Sequence, residues 1–349
     1  MAAKRIKWGV IGAGGIARRR TIPEGITKAK NAQLVAIMDV DKKIVEEVGR
    51  EFEISKCYTK EEDLLKDREV EAVYIATPNY LHGQQVTLAS ENGKHILCEK
   101  SLALTIKDCE KMIASCQRNK VKLGVGFLMR FHAYHQKILE IIKSGKLGEV
   151  VMARAQLSCW YPIIEGAWRQ DLKKGGGGSL VDMGSHCIDL LEMFIGKVEE
   201  VFAFTGNLVQ KYEPEDASGV LLRFTNGAIG IVDNYFCIPD NASENRLEIY
   251  GSKGSILASG TIGQMPTGKM VLNLGGGGGY EANQVRQEVL SQEIKVTPIN
   301  MYQAEIEHFS DCITNNKEPM ISGSDGLHDQ RIILASYKSA KTGKKVTIL

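Results

Sequence analysis

The chain lacks any apolar stretch near the ~20 residues that a membrane-spanning helix needs, which excludes that architecture. It lacks a long basic run, and its net charge is only +2, so a dedicated nucleic-acid surface is not expected. It lacks a Cys-x-x-Cys pair: Cys57, Cys98, Cys109, Cys116, Cys159, Cys187, Cys237 and Cys312 are scattered, mostly inside apolar runs. Reduced thiols in a cytoplasmic protein fit that pattern better than disulfides or a zinc site, and no metal is expected. There is no internal repeat. The start of the chain leads directly into an apolar strand, so no secretion signal is expected.

What is present is an ordinary globular composition, 43% hydrophobic and 25% charged, in 349 residues. That length favours two domains over a single core. Glycine is abundant, with 36 residues and runs at 175–178 and 275–279 that read as local turns.

The strongest motif stands near the start. Ile6-Lys7-Trp8-Gly9-Val10-Ile11 runs into Gly12-Ala13-Gly14-Gly15-Ile16-Ala17, and a helical segment follows. A second apolar strand, residues 34–38, then ends in Asp39. Each part has a task in holding a dinucleotide. Gly12 permits the tight turn, Gly14 lets backbone approach a pyrophosphate, and Ala17 keeps the helix close to the sheet. The helix start offers N–H groups to the anion. Asp39 accepts hydrogen bonds from ribose hydroxyls and repels a 2′-phosphate, so NAD is favoured over NADP. Arg18, Arg19 and Arg20 lie within the first helix rather than after Asp39, and read as a solvated basic face.

Up to residue 127 strands and helices alternate, with strand-like runs at 7–11, 34–38, 72–76, 95–98 and 122–125. This predicts an α/β Rossmann domain over 1–127, its parallel sheet covered on both faces. Ligands bind beyond the carboxyl ends of such strands, where Thr77-Pro78-Asn79 and Glu99-Lys100 fall. Residues 128–349 change character. Helices are expected near 132–144 and 180–195. Strands are expected at 150–157, 200–207, 219–224, 228–237, 246–250 and 255–258, with Asn226-Gly227 as a hairpin turn. This second domain reads as α+β with a large, mainly antiparallel, open-faced sheet. Helices at 302–315 and 325–341 close the chain and are free to pack back onto the first domain.

Three positions carry candidate chemistry: Lys100, Asp182 and His186. Lys100 ends a strand at the cofactor crevice. Asp182 and His186 are four apart beside the core stripe Leu180, Met183, Cys187, Leu190, Leu191 and Phe194, so both point to one spot. The structural alternatives are a surface lysine paired with Glu99, an Asp182 that caps a helix begun by Ser179, and a histidine satisfied by Asp182 or Asp189. Oxidation of an alcohol by NAD needs a group that takes the hydroxyl proton as hydride leaves carbon. A free lysine titrates near ~10.4, whereas histidine is better matched to neutral pH. The relay is therefore assigned to the Lys100–His186 pair, with the immediate base left open.

These residues resemble the Gfo/Idh/MocA family, the oxidoreductases related to glucose–fructose oxidoreductase and inositol dehydrogenase, over nearly the whole chain. The markers are Gly12 to Ala17, Ala76-Thr77-Pro78-Asn79-Tyr80-Leu81-His82, Cys98-Glu99-Lys100, Trp168-Arg169, and Gly177-Gly178-Ser179-Leu180-Val181-Asp182-Met183-Gly184-Ser185-His186. The resemblance implies hydride transfer between nicotinamide and a carbohydrate or polyol hydroxyl, with Lys100, Asp182 and His186 catalytic. Gly12, Gly14, Gly15, Ile16, Asp39 and Thr77 would hold the cofactor, with Asn79, His82 and Glu99 at its nicotinamide and ribose end. Arg130, Trp168 and Arg169 would wall the cofactor or substrate, or else serve as salt-bridge and packing residues. The family usually has proline after the lysine, and this chain has Ser101. Proline fixes φ and tolerates a cis bond, so the backbone at Lys100 is left open.

A sugar pocket needs polar groups and an aromatic platform, for which Trp160, Tyr161, Trp168, Arg169, Asn234, Tyr235 and His186 are candidates. The leading expectation is an NAD-dependent dehydrogenase acting on a secondary hydroxyl of a sugar or glycoside, with C3 of a glucosyl unit favoured and a 3-oxo-glycoside as product. The alternatives are an inositol or polyol 2-dehydrogenase and, in another class, a non-catalytic NAD(P)-sensing regulatory protein. A homo-oligomer, dimer or tetramer, formed through the second sheet is expected, with no membrane or nucleic-acid partner.

Overall fold

The computed structural model describes residues 4–275, 282 and 289–348. Two compact units emerge, one of residues Met1–Leu128, Lys173–Gly176 and Asn300–Gln330, the other of Met129–Leu172, Gly177–Ile299 and Arg331–Leu349.

The first unit is built on a six-stranded sheet of β1 (Ile6–Ile11), β2 (Ala32–Met38), β3 (Cys57–Tyr58), β4 (Ala72–Ile75), β5 (His95–Glu99) and β6 (Leu123–Gly126), in the order β3-β2-β1-β4-β5-β6. All pairs are parallel. Continuous apolar runs suit strands covered on both faces, and β4 is buried at every position. The order reverses beside β1, where β2 and β4 flank the glycine-rich turn. Doubly wound sheets open a ligand crevice at such a point. The helix Met301–Thr314 covers part of this sheet: Trp8 Nε1 donates to Ser310 Oγ at 3.1 Å and its ring lies 5.7 Å from that of Phe309. The two-residue β3 is too short to show a period, and the sequence reading did not include it.

The second unit carries a nine-stranded sheet. Its strands are β7 (Val150–Ser158), β8 (Val198–Gly206), β9 (Ala217–Phe224), β10 (Ile229–Tyr235), β11 (Arg246–Gly251), β12 (Gly254–Ser259), β13 (Lys269–Leu274), β14 (Leu290–Glu293) and β15 (Val346–Thr347). The order is β14-β13-β12-β11-β7-β10-β9-β8-β15. Every pair is antiparallel except β10 with β7. The hairpin at Asn226-Gly227 joins β9 to β10, with Gly227 at φ 88°. One face packs on the helix Ser185–Ile195, and the other exposes Phe204, Leu221 and Ile229. β13, β14 and β15 are not among the strands expected from the sequence: β14 and β15 are short edge strands, whereas β13, beside β14, buries Met270 and Leu272. The expected turn at 275–279 lies outside the described residues after Gly275. Among the described residues no helix is long and apolar enough to cross a membrane.

Candidate active site

In the first unit the turn after β1 has the shape a dinucleotide requires. Gly12 has φ 84°, and a Cβ there would sit 2.9 Å from the Ala76 carbonyl oxygen, so only glycine lets β1 turn against the end of β4. Gly15 has φ 42°, and a Cβ there would meet nothing within 4 Å. Ile16 precedes a helix of wide, π-type turns, Ala17–Ile26, and supplies no side-chain cap. Unsatisfied donors at a helix start are suited to an anion. Asp39 follows β2; its Oδ2 accepts the Gly14 N–H at 3.0 Å and its Oδ1 accepts the Asp41 N–H at 3.1 Å. The acid is thus held at the second glycine of the turn. Arg18 is engaged by Glu47 and Glu51, and Arg20 by Glu24. These residues fit the adenosine and pyrophosphate half of NAD.

The ends of β4 and β5 are tied to each other. His82 is fully buried, and its ring nitrogens face the carbonyl oxygens of Thr77 and Ser101, each at 2.9 Å. Burial pulls its pKa down while those carbonyls oppose the shift. His82 therefore acts as a strap between two loops, where the sequence had it lining the nicotinamide. Thr77 donates to Gln85 Oε1 at 2.5 Å, and the buried Asn79 donates to the Gly175 carbonyl at 3.0 Å. The Lys100–Ser101 peptide is cis. Lys100 is half-buried, and its N–H donates to Glu99 Oε2 at 3.3 Å. The other oxygen of Glu99 accepts from Tyr74 Oη, which in turn accepts from Thr21 at 3.0 Å. Buried Glu305 lies close enough that Glu99 adds to burial in raising its pKa. This cluster under Lys100 escaped the sequence reading, because its members come from four separate segments.

The second unit presents Asp182 and His186, both half-buried. Asp182 lies in a π-type turn, Leu180–Gly184, that leads into the α-helix Ser185–Ile195 carrying His186. Such turns recur at functional sites. Arg169 Nε donates to Asp182 Oδ1 at 3.2 Å, and its guanidinium stacks 4.3 Å from the centre of the Trp168 ring. Tyr161 belongs to the same group: burial pushes its phenol pKa up, and Arg169 opposes the shift. Trp160 is exposed, and Tyr161 accepts the Tyr212 hydroxyl on its carbonyl at 2.9 Å.

Some expectations need correction. Ser179 makes no side-chain cap; the N–H groups of Gly178 and Leu180 instead donate to the Glu215 carboxylate, each at 2.9 Å. Nothing local in the sequence links residue 215 to residue 180. Arg130 forms a buried bidentate pair with Asp189, with Nε–Oδ2 at 2.9 Å and Nη2–Oδ1 at 2.6 Å. It thus takes the salt-bridge alternative raised for it, and Asp189 is committed to Arg130. Asn234 is fully buried, and its amide donates to the Leu157 carbonyl at 3.1 Å, which places it in the core and away from a sugar. The glycine run at 175–178 also does more than turn the chain. A Cβ on Gly177 would lie 2.0 Å from the Tyr337 hydroxyl, and one on Gly178 would lie 1.9 Å from the Glu215 carbonyl oxygen.

Known proteins are similar to this chain in sequence and in fold. Residues 6–127 match the profile of an oxidoreductase family with an NAD-binding Rossmann fold, and residues 135–257 match the GFO/IDH/MocA C-terminal domain. The chain is 29% identical over 344 residues to a 1,5-anhydro-D-fructose reductase from Ensifer adhaerens, covering 98% of each. It is 31% identical over 256 residues to a myo-inositol 2-dehydrogenase from Thermotoga maritima, covering 71% of this chain and 74% of that one. The crystal structure of the aldose-aldose oxidoreductase from Caulobacter crescentus complexed with glycerol superposes with a TM-score of 0.88 at 27% identity, over 99% of this chain and 100% of that one. With the NAD cradle, the two folds and both family matches in agreement, the chain belongs to the Gfo/Idh/MocA family and is an NAD-dependent oxidoreductase acting on a CH–OH group of the sugar or polyol kind.

Proposed function

We propose that this enzyme oxidises a secondary hydroxyl of a sugar or glycoside, with C3 of a glucosyl unit the favoured position, giving a 3-oxo-glycoside. The observation that carries this reading is the grouping of Arg169, Trp168 and Tyr161 around Asp182, in the turn that leads into the helix bearing His186. Paired charges beside an aromatic face are what a polyhydroxylated ring needs: polar partners for its hydroxyls and a flat surface for its C–H face. The relatives named above act on sugars and inositol, in keeping with that chemistry.

In the oxidative direction the C–H bond gives its electron pair to the nicotinamide as hydride, while the O–H proton leaves to the protein. NAD, when bound, supplies the hydride acceptor. In this reading Lys100 and His186 take the hydroxyl proton and pass it to solvent, and Asp182 orients the hydroxyl and the imidazole. Asp39 holds the adenosine ribose and selects NAD over NADP. We place the enzyme in the cytoplasm. We also assign a homo-oligomer built through the exposed face of the nine-stranded sheet, where Phe204 is 70% exposed.

A panel of methyl glucosides, free hexoses and inositols, read by NADH formation and by NMR location of the new ketone, tests the assignment. NADH formation with inositols alone would give the polyol reading instead. No turnover with any panel member, despite tight NAD binding, would favour a regulatory protein. Lys100→Ala should lower kcat by at least 10²-fold while NAD affinity stays within about twofold.

A further inference from the structure

The first N–H groups of a helix have no partner within it and must find one elsewhere. For the segment that carries Asp182 and His186, one residue distant in sequence supplies it. Glu215, in the loop between β8 and β9, accepts the N–H groups of Gly178 and Leu180 on its carboxylate, each at 2.9 Å. Its own backbone carbonyl accepts the Ser179 N–H at 3.0 Å. Tyr337 donates its hydroxyl to Glu215 Oε1 at 2.8 Å. Three successive backbone donors thus end on a single residue, itself only 7% exposed.

The support behind Glu215 is equally specific. Asp216, fully buried, accepts the N–H groups of Leu208, Val209 and Gln210, each at 2.7 Å, so the loop is folded around its own carboxylate. The close approach on the other side depends on Gly178, whose missing side chain leaves room for the Glu215 carbonyl. Burial raises the Glu215 pKa, and the donors from Leu180, Tyr337 and Gly178 oppose that shift.

We propose that Glu215 is a positioning residue for the reaction: by holding residues 178–180 it sets the phase of the π-type turn that carries Asp182 into the helix of His186. This rests on the reading of Asp182 and His186 as site residues. A π-type turn holds one more residue than an α turn. Relaxing it to α geometry would change the rotation of its start against the helix that follows and shift the Asp182 carboxylate relative to the His186 imidazole from the placement seen here. Glu215 touches no reacting atom in this scheme. It acts through the backbone.

The test compares Glu215→Ala, Glu215→Gln and Tyr337→Phe with wild type. Each is assayed well below its melting temperature, with the most active member of the glucoside, hexose and inositol panel. NAD affinity is read by fluorescence and reports the first unit independently. Glu215→Ala is expected to lower kcat about 10²-fold, the cost of misplacing a reacting group by about 1 Å, with NAD affinity within twofold and KM changed far less than kcat. Glu215→Gln keeps one acceptor oxygen and should recover kcat to within about tenfold of wild type, while Tyr337→Phe should lie between Gln and wild type. A Glu215→Ala protein that melts earlier yet turns over at the wild-type rate would overturn the proposal, as would a Gln variant no better than Ala. If the Ala variant does not fold, wild-type kcat in both Glu215→Gln and Tyr337→Phe overturns it, and a graded loss supports it. His186→Ala is run alongside. Full turnover there defeats the reading of the site, whereas an inactive His186→Ala beside a fully active Glu215→Ala defeats the role of Glu215 alone.

Discussion

Glu305 offers the sharpest energetic test of the first unit. Its side chain is 3% exposed, its Oε1 has no hydrogen-bond partner among the described residues, and Glu99 lies beside it. Burial first, and Glu99 second, hold its pKa well above the ordinary carboxylate range. The folded protein therefore keeps a proton that the unfolded chain releases near ~4.3. Where the native state binds more protons, stability falls as pH rises. The loss begins above the unfolded pKa and continues up to the native one, at about 1.4 kcal/mol per pH unit. Glu305→Gln keeps the shape and removes the proton. Near pH 4 the two proteins should differ little. Over two pH units inside the window the variant should gain about 3 kcal/mol relative to wild type. Glu99, Tyr74, Tyr302 and Arg20 titrate or carry charge around the same cluster and are present in both proteins. Urea unfolding from pH 4 to pH 8 measures the difference. The emission of Trp8, fully buried in this unit, is the probe, in a background carrying Trp160→Phe and Trp168→Phe. A wild-type-minus-variant difference that stays flat across that range would show that Glu305 is ionised in the native state and would refute the reasoning.

Arg130→Leu should destabilise the second unit by about 3–5 kcal/mol, because it leaves Asp189 charged and buried without its partner; the double variant with Asp189→Leu should recover most of that in urea unfolding. Gly178→Ala places a methyl group against the Glu215 carbonyl and should cost at least the ~1–3 kcal/mol of ordinary overpacking, seen as a lower melting temperature. Asp39→Ala should weaken NAD binding by about 10- to 100-fold, the loss of a hydrogen bond to a charged group, and narrow the preference over NADP; an unchanged ratio of NAD to NADP affinities would remove Asp39 from cofactor selection.

Much of the first unit was legible because its signals are local. The strands at 7–11, 34–38, 72–76, 95–98 and 122–125 announce themselves as apolar runs, and each lies within or at the edge of an observed strand, differing by a residue or two at its ends. Gly12 and Asp39 were legible for the same reason, since a tight turn and a strand-end acid are demands on single positions. In the second unit the alternation of β8 to β12 showed. β14 and β15 did not, because these short edge strands bury little on either face, and β13 did not, because Val271 between the buried Met270 and Leu272 is apolar as well and masks the alternation. The misassignments share one cause. Ser179 looked like a cap because capping is usually local, but here the donors go to Glu215, which the fold brings in from another loop. His82, Arg130 and Asn234 carry the right chemistry for a site, yet each is committed to a buried internal partner.

Fold class and the dinucleotide turn follow from periodicity and from glycine and acid at fixed spacings, and those are properties of a few consecutive residues. Which carboxylate caps a helix, which histidine straps two loops and which arginine is neutralised depend on contacts between residues far apart in the chain. Those contacts exist only once the backbone has closed, because burying a polar group demands a partner wherever the fold can supply one. Tertiary structure alone decided them.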